Sequence, residues 1–599
     1  MSPALRSVLR SLGAVFLAAA MLLPLACHKA AAPLEAPEPF TRQLPEVEGV
    51  QAIVSLRHPK LVNDDLGKLM AGVPETALAR MMLSQYAAFG YPDFTEITAG
   101  SNIGVAILSL SAADLKAKNT VAIGFAKLKE GGKLWGLLVA QGMVMQKHGD
   151  WVLIAKDDAS LAKLKSPDAV AAYLEQPQAE DLRLWGRLTP DFLAGIKDQV
   201  ATGIDGDGNT LSAEQKKAVH AYCDVLFSLL GEIHSADISL AFADEGIHLD
   251  YGLQALPDTP LGTYLRYKPS PAPAIAQYFS GDSLAAMSFH NNPQAVVVLF
   301  DSILDPLVAV DYPPAAGPLK DFKTSFDAQM ALNSGQGVAA FDLVFGPKDG
   351  RDQVQPEFVF VNAGTFTPES ARNYLRSMRA VADEFTQLMQ AQGKKTPGVN
   401  VTTTTSPYVE NAATIQGCVF DSWTTTVAMN GKTLSSRPAL GGVVDGSLVM
   451  AGSEDVLKAR VPALLAKVAL PDALRVPETP GEIGHGELNG GKLVDLMVAA
   501  AKLDLTDSDT KAQVDGLKAA YGTDAPVSIS VIFSQAKVSE NTVVPYKFIE
   551  GTIHLSQYLS ARKFNLLSLF APAVPPRARP MHPARPPVTT PPVMLPDGQ

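Results

Sequence analysis

Trp151-Val152-Leu153-Ile154-Ala155 with Leu161 beyond it, and Ser447-Leu448-Val449-Met450-Ala451 with Leu457 beyond it, carry one pattern: a short apolar strand running into a helix. The two stretches stand 447 − 151 = 296 residues apart. Further along, Gly186, Leu188 and Leu193 match Gly486, Leu488 and Leu493, each set a strand entering a helix at Thr189-Pro190 or Asn489-Gly490. Val54-Ser55-Leu56 opens the first set as Met287-Ser288-Phe289 opens the second, and Ile247-His248-Leu249 closes the first as Ile553-His554-Leu555 closes the second. Matches in this order imply two homologous units, 46–262 and 281–562, of a size for tandem domains rather than solenoid repeats.

Within each unit, alternation such as Val50, Ala52, Val54 and Leu56 predicts strands with one buried face. Further strands are expected at Ile103–Leu110, Asn119–Phe125, Val338–Val344 and Pro356–Val361, with hairpin turns at Asp244-Glu245-Gly246 and Lys348-Asp349-Gly350. Apolar residues recurring every three or four positions predict helices at Pro190–Val200, Ser212–Leu230, Pro368–Gln392, Glu454–Leu465 and Leu493–Leu503. The fold class expected is α+β, each unit an antiparallel sheet with helices packed on one face. The polar insertion Thr396 to Ser435, including Thr402 to Thr405, reads as a surface ribbon.

Ahead of the units, Arg6 and Arg10 precede the apolar run Leu12 to Ala26, which stops at Cys27. A run of that length is short of the roughly 20 residues of a membrane-spanning helix, so 1–26 reads as a cleaved signal peptide. Leu23-Pro24-Leu25-Ala26-Cys27 resembles the lipobox of bacterial lipoproteins, with Pro24 departing from the pattern. That resemblance implies that Cys27 is acylated and becomes the mature N-terminus. His28 at the next position resembles the outer-membrane-directed members of that class. Secretion with a cut after Ala32 is the alternative, disfavoured because Pro33 would follow the cut. Residues 27–45, rich in Ala, Pro and Glu, read as a flexible tether. No later apolar run is long enough to span a bilayer as a helix.

Without Arg6 and Arg10 the mature chain has 48 basic and 61 acidic residues, a net charge of 48 − 61 = −13, which argues against a nucleic-acid partner. Only Cys223 and Cys418 follow Cys27. Cys223 sits on a helical pattern with Val219, Tyr222, Val225 and Leu226 and is expected to be a buried free thiol, a single bridge to Cys418 being the alternative. The segment 571–599, with ten prolines and with Arg577, Arg579 and Arg585, reads as a disordered polyproline tail that acts as spacer or docking arm for an envelope protein or peptidoglycan.

Candidate chemistry is sparse. Asp205, Asp207, Asn209 and Glu214 resemble parts of an EF-hand calcium loop, but no register supplies every ligand, and Ser212 with Gln215 predicts a capping box there instead. Calcium is thus the one cofactor the sequence suggests. Ser160/Lys163 and Ser560/Lys563 have the serine-x-x-lysine spacing of penicillin-recognising enzymes without the elements that complete such a site. His58 before Pro59, and His290 with Asn291 and Asn292, stand at corresponding strand ends, where a helix-start turn accounts for them. The function expected is that of a non-catalytic, lipid-anchored envelope protein that binds a partner or serves as a structural module. The rivals are a carrier or sensor of apolar ligands or lipids, and a hydrolase without a recognised motif.

Overall fold

The computed structural model describes residues 49–561 apart from 73–95, 109–120, 207–211, 268–273, 281–282, 311–312, 349–350, 394–400, 430–431, 471–472, 476–479, 522–525 and 535–536. The signal region, Cys27, the tether and the proline-rich tail lie outside the described residues. The first half runs β1 (Val50–Leu56), α1 (Pro59–Gly72), β2 (Ile103–Leu108), β3 (Ala122–Ala126), α2 (Lys133–Ala140), β4 (Val144–His148), β5 (Trp151–Ala155), α3 (Asp158–Leu161), α4 (Pro167–Glu175), β6 (Leu182–Gly186), α5 (Pro190–Asp205), α6 (Ala213–Gly231), β7 (Ile233–Phe242), β8 (Gly246–Ala255) and α7 (Pro260–Arg266). The second runs β9 (Ala285–His290), α8 (Pro293–Ala309), α9 (Pro313–Met330), β10 (Asn333–Lys348), β11 (Arg351–Gly364), α10 (Pro368–Gly393), β12 (Val401–Thr405), β13 (Val409–Ile415), β14 (Cys418–Met429), β15 (Lys432–Val444), β16 (Ser447–Ala451), α11 (Glu454–Ala466), β17 (Glu482–Leu488), α12 (Gly490–Ala500), α13 (Ser508–Tyr521), β18 (Val527–Ser534), β19 (Lys537–Pro545) and α14 (Tyr546–Ala561).

Local chemistry sets many of these boundaries. Thr189, Thr259 and Asn292 each cap a helix whose next residue is proline, which lacks the amide hydrogen that an uncapped first turn would leave unpaired. Ser212 and Gln215 form the reciprocal capping box of α6 (3.0 and 3.1 Å). Asp445-Gly446, both with positive φ (46° and 76°), make the tight turn joining β15 to β16. The two hairpins expected at 244–246 and 348–350 join β7 to β8 and β10 to β11.

All described strands belong to one sheet, and every pairing is antiparallel. In the first half the neighbours run β4, β5, β3, β2, β1, β6, β7, β8. In the second they run β15, β16, β11, β10, β9, β17, β18, β19. The registers agree as well: Ser55 faces Gly104 and Arg183, while Ser288 faces Val338 and His485. Phe125 lies between Gly104 and Leu153, and Val361 between Val338 and Val449, which is 449 − 153 = 296 residues from Leu153. The halves meet edge to edge where β8 pairs with β19, Asp250 facing Asn541.

Three expectations need correction. In the second half helices cover both faces of the sheet, not one. On one face α3 and α4 bury Leu161, Val170 and Leu174 against Ile53, Phe125 and Trp185, and α11 buries Leu457 and Val461 against Val338, Val361 and Val449. On the other, α8, α9 and α10 pack Phe300, Phe326 and Tyr374 with Leu448, and Phe300 stacks on Phe326 at 4.4 Å. Second, Ile553-His554-Leu555 lies in helix α14, whereas Ile247-His248-Leu249 lies in β8; the strand placed like β8 is β19. Likewise Gly486 faces Met287 while Gly186 faces Ala52, so register aligns Gly486 with Leu184, which faces Val54. Third, the polar ribbon is not confined to the surface: Ile415 and Phe420 join the core that α11 covers.

Candidate functional site

Side chains directly opposite one another on neighbouring strands share a face, so register alone assembles a site that no stretch of sequence contains. Ser55, Arg183, Ser239, Asp250, Asn541, Ser530, His485 and Ser288 follow one another across β1, β6, β7, β8, β19, β18, β17 and β9. The row is polar throughout and runs serine, cation, serine, carboxylate or amide from each end toward its middle. It lies on the face that carries α3, α4 and α11, between their two apolar cores. Ser55, Arg183, Ser239 and Ser288 are buried.

The two cations are held differently. Arg183 stands 4.0 Å from Asp237, which Lys537 also approaches at 3.2 Å, and lies over the Tyr173 ring at 5.9 Å. His485 lies between two carboxylates, Glu482 at 3.0 Å from Nδ1 and Glu487 at 3.6 Å from Nε2. Glu487, more than Glu482, holds its imidazole protonated to a higher pH than usual, against the opposing effect of burial. Ser530 Oγ is 3.5 Å from Nδ1, the nitrogen that Glu482 also approaches. Ser288 Oγ donates to the Arg475 carbonyl (2.9 Å).

A histidine with a raised folded pKa contributes stability below its unfolded pKa, near 6.5, and loses that contribution as pH rises through the folded value. Urea unfolding should therefore show a midpoint that falls as pH rises above about 6.5. His485→Gln should flatten that fall; an equal slope in the variant would show that the glutamates do not bind the imidazolium.

The sequence-derived candidates are scattered. Asp205 ends α5, with its carboxylate 2.9 Å from His220 Nε2 and its carbonyl accepting from Lys216 Nζ (3.2 Å). Glu214 is exposed on the first turn of α6, and Asp207 and Asn209 lie outside the described residues. Among the described residues no group of three or more His, Cys, Asp or Glu could hold a metal ion. His58 Nδ1 accepts from the Lys60 amide (3.3 Å) and Asn292 caps α8, so both strand ends are helix starts. Ser160 Oγ donates to Asp157 (2.6 Å). Cys223 and Cys418 are free; Cys223 is buried on α6, which pushes its thiol up to about 11.

The opposite sheet face presents apolar side chains to solvent. Val105, Val54, Leu184, Ile238 and Tyr251 follow one another across β2, β1, β6, β7 and β8. Val105, Leu184, Ile238 and Tyr251 are 39, 38, 40 and 41% exposed, while Arg183 and Ser239, behind them on the polar face, are buried. No known protein family, curated protein or solved structure matches this chain.

Proposed function

We propose that this protein is a lipid-anchored component of the bacterial envelope, held at the outer membrane through acylated Cys27, that binds a partner protein and has no catalytic role. Its two units are taken to descend from one duplicated α+β domain; the shared strand order and register support this. The observation that carries the binding reading is the apolar row from Val105 to Tyr251, open to solvent in the middle of a sheet. Monomeric proteins rarely leave such a row uncovered. A protein fits it better than a membrane surface, because the row runs on to Glu540 beside Tyr251 and the mature chain is strongly acidic, which repels anionic lipid. The basic proline-rich tail is proposed as a second arm toward an envelope protein or peptidoglycan.

The test is co-purification after crosslinking in intact cells, comparing the native chain with the Leu184→Glu/Ile238→Lys variant. Both sites are partly exposed, so each substitution should cost no more than about 1 kcal/mol of stability, while a partner held by the row is lost. A partner retained at full yield by the folded variant would overturn the docking surface. Co-purifying lipid without a protein would favour the carrier reading instead.

A further inference from the structure

A cleft of about 410 Å³ opens beside β10 and β11, against α11 and α12. Asp342 and Glu357 line it, directly opposite one another on the two strands. Side chains so placed have Cβ atoms roughly 4.5–5.5 Å apart, and like charges there repel. Asp342 accepts from the Leu284 amide (2.8 Å) and Glu357 from Ser453 Oγ (3.2 Å), yet among the described residues neither carboxylate forms an ion pair. Burial first, then the neighbouring Asp342 and Asp455, raise the Glu357 carboxyl against the lowering effect of Ser453.

The fold does not require acids at this place. Gly104 and Val338 stand alike, facing Ser55 and Ser288, and four residues beyond them come Leu108 and Asp342. Leu108 bonds through its amide to the Val121 carbonyl (3.0 Å) and is buried with apolar neighbours. The first half thus closes with leucine and valine where the second sets two carboxylates around an open cleft.

The other walls suit a small organic ligand. Leu284 and Leu496 are apolar. Arg460, which also lines the cleft, is drawn to Ser283 Oγ (3.1 Å) and lies over the Phe279 ring (5.8 Å), and Lys492 is 4.0 Å from Asp495. We propose that this cleft binds a ligand through an ammonium or guanidinium group seated between Asp342 and Glu357, with its carbon stem against Leu284 and Leu496. The site is independent of the apolar row on β1, β2 and β6 to β8.

Calorimetric titration of the full chain with agmatine tests this, with 1-pentanol as the uncharged control and calcium chloride as the competing inorganic cation. Saturable agmatine binding is expected at a Kd below about 1 mM, with no response to pentanol. Glu357→Gln should weaken it about tenfold, the loss expected when one charge-assisted hydrogen bond goes. Asp342→Leu/Glu357→Val, which copies the first half, should fold and bind nothing. Absence of saturable binding by the folded native chain, equal affinity in Glu357→Gln, or calcium binding that displaces agmatine would each overturn the assignment.

Discussion

Phe420→Ala is expected to lower unfolding free energy by about 3–5 kcal/mol, the usual cost of emptying a fully buried aromatic position. Phe420 is 0% exposed and packs in the core that α11 covers, although Asp421 and Ser422 follow it directly. A nearby cross-strand residue is Gly442, where an added Cβ would come within 2.8 Å of the Phe420 ring, so the space is already filled. The measurement is a urea midpoint at unchanged slope, with Phe420→Leu as a milder companion. A loss under about 1 kcal/mol would mean that β14 and β15 are a surface hairpin after all. The inner end of this ribbon is further held by Asp421. Burial pushes that carboxyl up, but hydrogen bonds from Arg372 (2.8 Å), the Asn411 amide (2.8 Å) and Tyr408 (2.8 Å) outweigh it and leave the group below its ordinary range.

The ribbon marks one limit of sequence reading. Thr402 to Thr405 and the polar residues near Ser435 carry no apolar period, and Phe420 alone does not announce a core. Elements fixed by neighbouring residues were legible: the capping box at Ser212, the pairing of β7 with β8 and of β10 with β11, and the strand pair 296 residues apart. Placement was not. A helical period shows that a helix has an apolar stripe, but not which face of a sheet that stripe covers, so α11 and α10 looked alike and pack on opposite faces. The polar row is less legible still. Ser55 and Arg183 are 183 − 55 = 128 residues apart and meet only through register. Asp342 and Glu357 are 357 − 342 = 15 residues apart, and only the hairpin sets them opposite one another.

Cys27→Ser should abolish metabolic labelling with palmitate and move the protein from the membrane to the soluble fraction. Two or more acyl chains, at roughly 0.8 kcal/mol per buried methylene, hold a protein on a bilayer through washing, and no helix among the described residues is long and apolar enough to cross a membrane. Cys223 is buried and offers no substitute site. The urea midpoint should be unchanged, because the cysteine precedes the folded units. Undiminished labelling would remove the anchor from the proposal, and labelling lost with membrane association retained would point to the partner as the tether.

The central claim, a partner protein docked on the apolar row, is tested most directly by a photoreactive amino acid placed at Ile238 in cells, with exposed Asp509 on α13 as the control position. A discrete protein adduct from position 238, absent from 509, is the expected result. No adduct from 238, or the same adducts from both positions, would contradict it.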